Sequence, residues 1–175
     1  MRYLRERREA LGGFYPRRRT DSDEHLTVPG LDYFKTVTDA TPEGRELSTT
    51  QSFVRFLNQL LRDKQLGHRV VPILSDEGRT FGMEGLFRQI GIYAPEGQKY
   101  VPVDKDQVMY YREAENGQLL QEGINEAGAT CSWISAATSY STSNRIMIPF
   151  FVFYSMFGFQ RVGDLLWAAG DIQAR

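Results

Sequence analysis

The chain has 175 residues, 41% of them hydrophobic and 25% charged, with a formal net charge of -1. These values suit one globular domain or most of one, exclude a low-complexity chain, and give no global pull toward nucleic acid or an anionic membrane. The single cysteine, Cys131, excludes an internal disulfide and fits a reducing compartment, so a cytoplasmic protein is expected.

The opening MRYLRERREALGG is charged, with no apolar stretch behind it, and so is not a secretory signal. Residues 2–9 predict a solvated helix ended by Gly12-Gly13. The following FYPRRRTDSDEHLTVPG is rich in charge, proline and turn formers and reads as a linker or extended arm. Seven arginines fall in the first nineteen residues, but Glu6 and Glu9 interleave with them and no aromatic stacking pattern follows. A solvated arm is therefore favoured over a nucleic-acid arm.

Ser48-Thr49-Thr50 can cap a helix in which Phe53, Phe56, Leu57, Leu60 and Leu61 form one apolar stripe, with Gly67 as its terminating glycine. Val70 to Leu74 then predicts a short strand closed by Ser75-Asp76-Glu77-Gly78. A second strand is predicted at Leu119-Leu120 before a helix from about Asn125 to Ala137, and a third at 146–153 before a helix from about Gln160 to Ala174. Strands apolar on both faces and each beside a helix predict an α/β fold with a mostly parallel sheet flanked by helices. The uncharged run at 146–159 falls short of the roughly 20 residues of a membrane span and holds Pro149 and Gly158, so it reads as a buried strand entering a turn. The long stretch 79–117 is rich in aromatics and is expected to be ordered by packing against a partner subunit, another domain or a ligand.

Several features could carry chemistry. Asp76 and Glu77 follow an apolar strand, and open parallel sheets bind ligands at the carboxyl ends of their strands. On the residues alone, a plain turn with solvated acids is the stronger reading. Gly78, Gly82 and Gly85 match neither phosphate-loop pattern and are expected to serve close backbone packing. Asn125 is a reasonable N-cap that places Glu126 in the first helical turn, where the dipole favours a carboxylate. Glu126 is then a capping acid or a catalytic one, with small residues 127–129 allowing close approach behind it. Tyr154 and Phe157 would share a face if their segment turned helical; they clamp a flat heterocycle or belong to the core. His25 and His68 are lone histidines without ligand-spaced partners. Cys131 lies in an apolar helical stretch and is expected to be a small buried residue.

Three long strings, DEGRTFGMEGLFRQIGIYAPEGQKY, LLQEGINEAGATCSWISAATSYST and IPFFVFYSMFGFQRVGDLLWAAGDIQAR, resemble the homodimeric pyruvate dehydrogenase component that decarboxylates pyruvate. The resemblance is dense from about Thr49 to Arg175 and weaker before it. It implies a thiamin diphosphate enzyme of the transketolase-like class, in which each cofactor lies between two domains of different subunits. It further implies that 1–48 is an arm leading into the domain and that 49–175 is the first part of the pyrimidine-binding domain. Glu126 matches the glutamate that pairs with the cofactor's pyrimidine and helps to activate its thiazolium carbon. That task needs a carboxyl able to hold a proton near neutral pH, which burial favours and a helix terminus opposes. Phe157 matches the aromatic residue stacked on the pyrimidine, and Tyr154 the one beside its amino group. Asp76 and Glu77 match acidic site residues, with Glu77 in a carboxylate network joining the two active sites across the dimer.

The Gly-Asp-Gly start and downstream Asn that would hold the metal ion, expected to be magnesium, do not occur here. Gly163-Asp164 and Gly170-Asp171 lack a third glycine, and no histidine-rich segment follows the strands. The chain by itself is therefore expected to hold half an active site, to be inactive alone, and to expose an apolar edge at strand 146–153. The partners implied are a second copy, pyruvate and the dihydrolipoyl acetyltransferase of the complex. Two alternatives stay open: an inactive fragment that only makes dimer contacts, and a dehydrogenase of a related 2-oxo acid.

Overall fold

The computed structural model describes residues 1–13, 18–75, 78–103 and 110–175. Helix α1 (Arg2–Ala10) buries no residue, and Gly12 and Gly13 end it with φ of +93° and +95°. Residues 18–30 run extended. They are followed by a 3₁₀ turn at Leu31–Phe34 and the single turn α2 (Lys35–Thr38), neither of which is long enough to show a period in the sequence.

Helix α3 (Thr49–Leu61) starts at a reciprocal capping box: Gln51 N donates to the Ser48 hydroxyl while the Gln51 side chain accepts from Ser48 N. Its stripe buries Leu57, Leu60 and Leu61. The helix ends at Arg62, not at Gly67 as its periodicity suggests. Asp63 Oδ1 accepts from Gln65 N and Leu66 N at 2.8 and 2.7 Å, a local turn that competes with another helical turn. Gly67 has a different task, since a β-carbon there would lie 2.4 Å from the Leu61 carbonyl oxygen.

Strand β1 (Val70–Leu74) is buried at every position. It is followed by a 3₁₀ turn at Gly78–Phe81, α4 (Glu84–Gln89) and the short strands β2 (Ile92–Tyr93) and β3 (Glu113–Ala114). Strand β4 (Leu120–Gln121) leads to α5 (Glu126–Ala137), α6 (Ser139–Ser143) and β5 (Ile148–Val152). The predicted helix over 160–174 is instead two, α7 (Met156–Arg161) and α8 (Gly163–Asp171). Val162 breaks it, buried at 1% exposure with φ -123°. The main sheet is parallel in the order β4-β1-β5, which bears out the α/β reading, and β2 pairs parallel with β3.

A proline in the central strand needs an account, because it cannot donate to the ladder. Val70 O accepts from the Gln118 side chain and Leu74 O from Glu122 N, so the even positions of β1 face the β4 side. Pro72 faces that side too, level with chain that has not yet entered β4, whose pairing begins at Ile73. The absent N–H therefore costs no ladder bond. Among the described residues β5 pairs only with β1, and its residues are half-buried. No helix among the described residues is long and apolar enough to cross a membrane.

The first part of the stretch 79–117 packs against the chain's own core, while Tyr100, Val101 and Val103 farther along it are exposed. Met83, Leu86, Phe87 and Ile92 are buried together with Leu57, Val70, Leu74 and Leu119. Of the three glycines expected to serve close packing, Gly78 does so, 2.9 Å from the Phe87 ring as measured from an added β-carbon, whereas Gly85 has nothing within 4 Å. Gly82 stands in open space with φ +69°, so conformation and not packing explains it.

The arm at 18–30 is fastened to the amino-terminal end of β5. Ser141 exchanges two hydrogen bonds with the Arg19 backbone, and Asn144, left-handed at φ +56°, bonds Ser22 and Asp23. The Glu24 carboxylate accepts from Ile146 N at 2.9 Å, Arg69 Nη2 at 2.8 Å and Arg145 Nη1 at 2.9 Å. The Ile146 amide first, and the two guanidiniums after it, hold this carboxyl below its ordinary range. A depressed folded-state pKa gives stability that is present above the unfolded value and lost as pH falls through the folded one. Glu24→Gln is therefore expected to flatten the decline of melting temperature below about pH 4.5. An unchanged acid limb in thermal unfolding would show that the arm does not titrate through Glu24.

Candidate functional site

The carboxyl ends of all three sheet strands open on one edge of the molecule. Ser75, buried, stands at the end of β1; Asp76 and Glu77, which the sequence marks next, lie outside the described residues. Glu122 follows β4, its N–H on Leu74 O and its carboxylate bonded by the Ser132 hydroxyl across to α5. Gly123 turns the chain with φ +69°, and Asn125 then caps α5 by accepting from Gly128 N at 3.0 Å. Such a cap stabilises a helix by about 1 kcal/mol. The bare Cα of Gly128 makes room for it, because a β-carbon there would lie 2.6 Å from Asn125 Nδ2. The small residue expected to admit another backbone thus admits the cap side chain.

Glu126 is the first residue of α5, with its side chain 13% exposed. Arg161 Nη1, at the end of α7, donates to Glu126 Oε1 at 2.6 Å. Among the described residues one oxygen is thus held by a cation and the other, Oε2, is without a partner. Arg161 stands 35 positions away in the chain, and nothing local in the sequence pairs it with Glu126.

Tyr154 and Phe157 follow β5 and are 59% and 67% exposed, so neither belongs to the core formed by the described residues. They do not share a helical face as the sequence suggested, because α7 begins at Met156, after Tyr154. Tyr154 meets Phe81 edge to face at 6.2 Å between centroids. Phe81, reached through the turn after β1, went unmarked in the sequence. Cys131 is exposed on α5 and is not the buried residue expected.

A second feature shares this edge of the sheet. A cavity of about 430 Å³ is lined by Arg79, Phe87, Tyr100, Tyr111 and Gln121 among others; Glu126, Tyr154 and Phe157 do not line it. Its wall is braced by Glu113 Oε1, which accepts from both the Tyr100 and Tyr111 hydroxyls at 2.9 and 2.8 Å. Burial first, and then the bond to Glu113, push the Tyr111 phenol well above the usual tyrosine range, so it stays a donor.

Residues 26–175 match the family model of the pyruvate dehydrogenase E1 component middle domain. The chain is 62% identical over 175 residues to the pyruvate dehydrogenase E1 component of Cupriavidus necator, covering 100% of this chain and 19% of that protein. It is 62% identical over 173 residues to the protein of that name from Pseudomonas aeruginosa and 58% over 173 residues to the one from Escherichia coli K12. In both cases 99% of this chain and 19% of the relative are covered, so the chain spans about a fifth of the length of these relatives.

Proposed function

Because the chain belongs to the family of the pyruvate dehydrogenase E1 component middle domain, we propose that it is the aminopyrimidine-binding part of a longer enzyme. That enzyme decarboxylates pyruvate on thiamin diphosphate and passes the acetyl unit to a lipoyl group. In this reading residues 49–175 form the first part of the pyrimidine domain and 1–48 an arm leading into it. The observation that carries the reading is that Glu126 follows β4 and Tyr154 and Phe157 follow β5, all beyond the carboxyl ends of strands in one parallel sheet, where such folds take ligands.

These residues fit an aminopyrimidine. Glu126 Oε2 has no partner among the described residues and can share a proton with a ring nitrogen, while Arg161 keeps Oε1 in place. Phe157 presents an exposed ring for stacking, and the Tyr154 hydroxyl suits a position beside an exocyclic amine. Thiamin diphosphate, when bound, supplies the thiazolium carbon and the electron sink for loss of carbon dioxide. Glu126 would hold and return the proton at Oε2. Asp76 would line the site and Glu77 would join the carboxylate network between the two sites of a dimer.

A second copy would cover the exposed apolar residues Met156, Phe159 and Trp167, the last of them 80% exposed. The diphosphate and a magnesium ion would be held by another domain of the longer protein. The acetyltransferase bearing the lipoyl group would be its partner, and the cytoplasm its compartment. The test is turnover by that longer protein. Release of carbon dioxide from pyruvate is expected only with thiamin diphosphate and magnesium added. Turnover without them, or faster turnover of another 2-oxo acid, would overturn the assignment.

A further inference from the structure

Helix α7 meets Glu126 through Arg161 and also comes close to it at Gly158, which is buried. A β-carbon built there would lie 3.2 Å from Glu126 Cγ, 3.3 Å from Glu126 Oε1 and 3.2 Å from Phe153 Cδ1. Contacts that short are tighter than nine in ten real β-carbon contacts, so a neighbour would have to yield by a few tenths of an ångström. Gly158 is helical and its φ is not positive, so space and not backbone freedom is what the missing side chain provides. Arg161 lies three residues on, on the same helical face. One turn of α7 thus offers Glu126 a gap to stand in and a cation that holds Oε1.

We propose that Gly158 is a positioning residue, whose bare Cα sets where the Glu126 carboxyl stands and where its free oxygen points. The proposal rests on the reading of Glu126 as the acid that pairs with the pyrimidine. A methyl group at 158 would press on Cγ and Oε1, the atoms that fix the carboxyl, and move Oε2 off line. Proton sharing tolerates little displacement: about 1 Å of misplacement can cost on the order of a hundredfold in rate.

The test uses the complete longer protein loaded with thiamin diphosphate and reads hydrogen–deuterium exchange at the thiazolium carbon by NMR. Melting temperature and cofactor affinity are followed in parallel. Gly158→Ala is expected to slow exchange by about four- to tenfold, the part of that cost that a few tenths of an ångström carries. In a Glu126→Gln background the same substitution is expected to change exchange by no more than about twofold, because the group it acts through no longer works. Normal exchange in Gly158→Ala, or equal slowing in both backgrounds, would reduce Gly158 to a packing position. Normal exchange in Glu126→Gln alone would sink the underlying reading of Glu126, a separate result. Should Gly158→Ala fold poorly, adding Phe153→Val removes the ring that the methyl also meets. That pair is expected to regain stability and still exchange slowly; recovery of exchange along with stability would overturn the proposal.

Discussion

Glu126→Gln in the longer protein is expected to slow proton exchange at the thiazolium carbon by about 10²- to 10⁴-fold, the usual range for a positioned acid or base. At 1.36 kcal/mol per decade this is about 3–5 kcal/mol of barrier. The effect on folding should be far smaller. Gln has the size of Glu and its carbonyl oxygen can still accept from Arg161 Nη1, which now holds Oε1 at 2.6 Å. The ion pair that is lost has a largely exposed partner, Arg161 being 61% exposed, and such pairs contribute about 0–1 kcal/mol. Loss of a first-turn carboxylate from the α5 dipole adds about 0.3–1 kcal/mol. Chemistry and stability are thus separable in one variant. Exchange should collapse while melting temperature moves by a few degrees. A variant that exchanges protons at the normal rate would leave Glu126 as a capping acid and nothing more.

The parts of the fold legible in the sequence are those governed by neighbours in the chain. Ser48 and Gln51 form a capping box three residues apart, Asn125 caps a helix whose third residue is Gly128, and VVPIL is apolar on both faces because β1 is covered on both. What was illegible depends on distant partners. The periodicity of α3 runs toward Gly67, but the Asp63 side chain stops the helix first. The break between α7 and α8 falls at Val162, which carries no helix-breaking signal and is set by its place in the core. Strands β2 and β3 have two residues each, too few for a period, and exist because Ile92 is buried beside Leu119. At the site, the position of Glu126 followed from capping rules. The role proposed for it rests on family resemblance, and its partner Arg161 was legible from neither, since a contact across 35 residues leaves no local trace.

The largest effect on stability is expected from Phe87→Ala, which should destabilise the chain by about 3–5 kcal/mol. Phe87 is 2% exposed and its ring stands edge to face with Tyr111 at 5.8 Å. On its other side it lies where a β-carbon on Gly78 would be, so ring and turn fit together in the core beside Leu74. Loss of the ring removes a transfer term and leaves a gap next to the existing cavity, which the surrounding core can close only in part. Against a typical total of about 5–15 kcal/mol, that is enough to unfold a substantial fraction of the protein at moderate temperature. Phe87→Leu, which keeps most of the volume, should cost less than half as much. The order of the two variants in denaturant midpoints distinguishes this account from its rival. If Phe87→Ala and Phe87→Leu unfold together near the parent's midpoint, the turn that follows Asp76 and Glu77 is held by something other than the Phe87 ring. The placement of the edge of the sheet that bears Glu126 would then have to be traced to the β1 and β4 ladder alone.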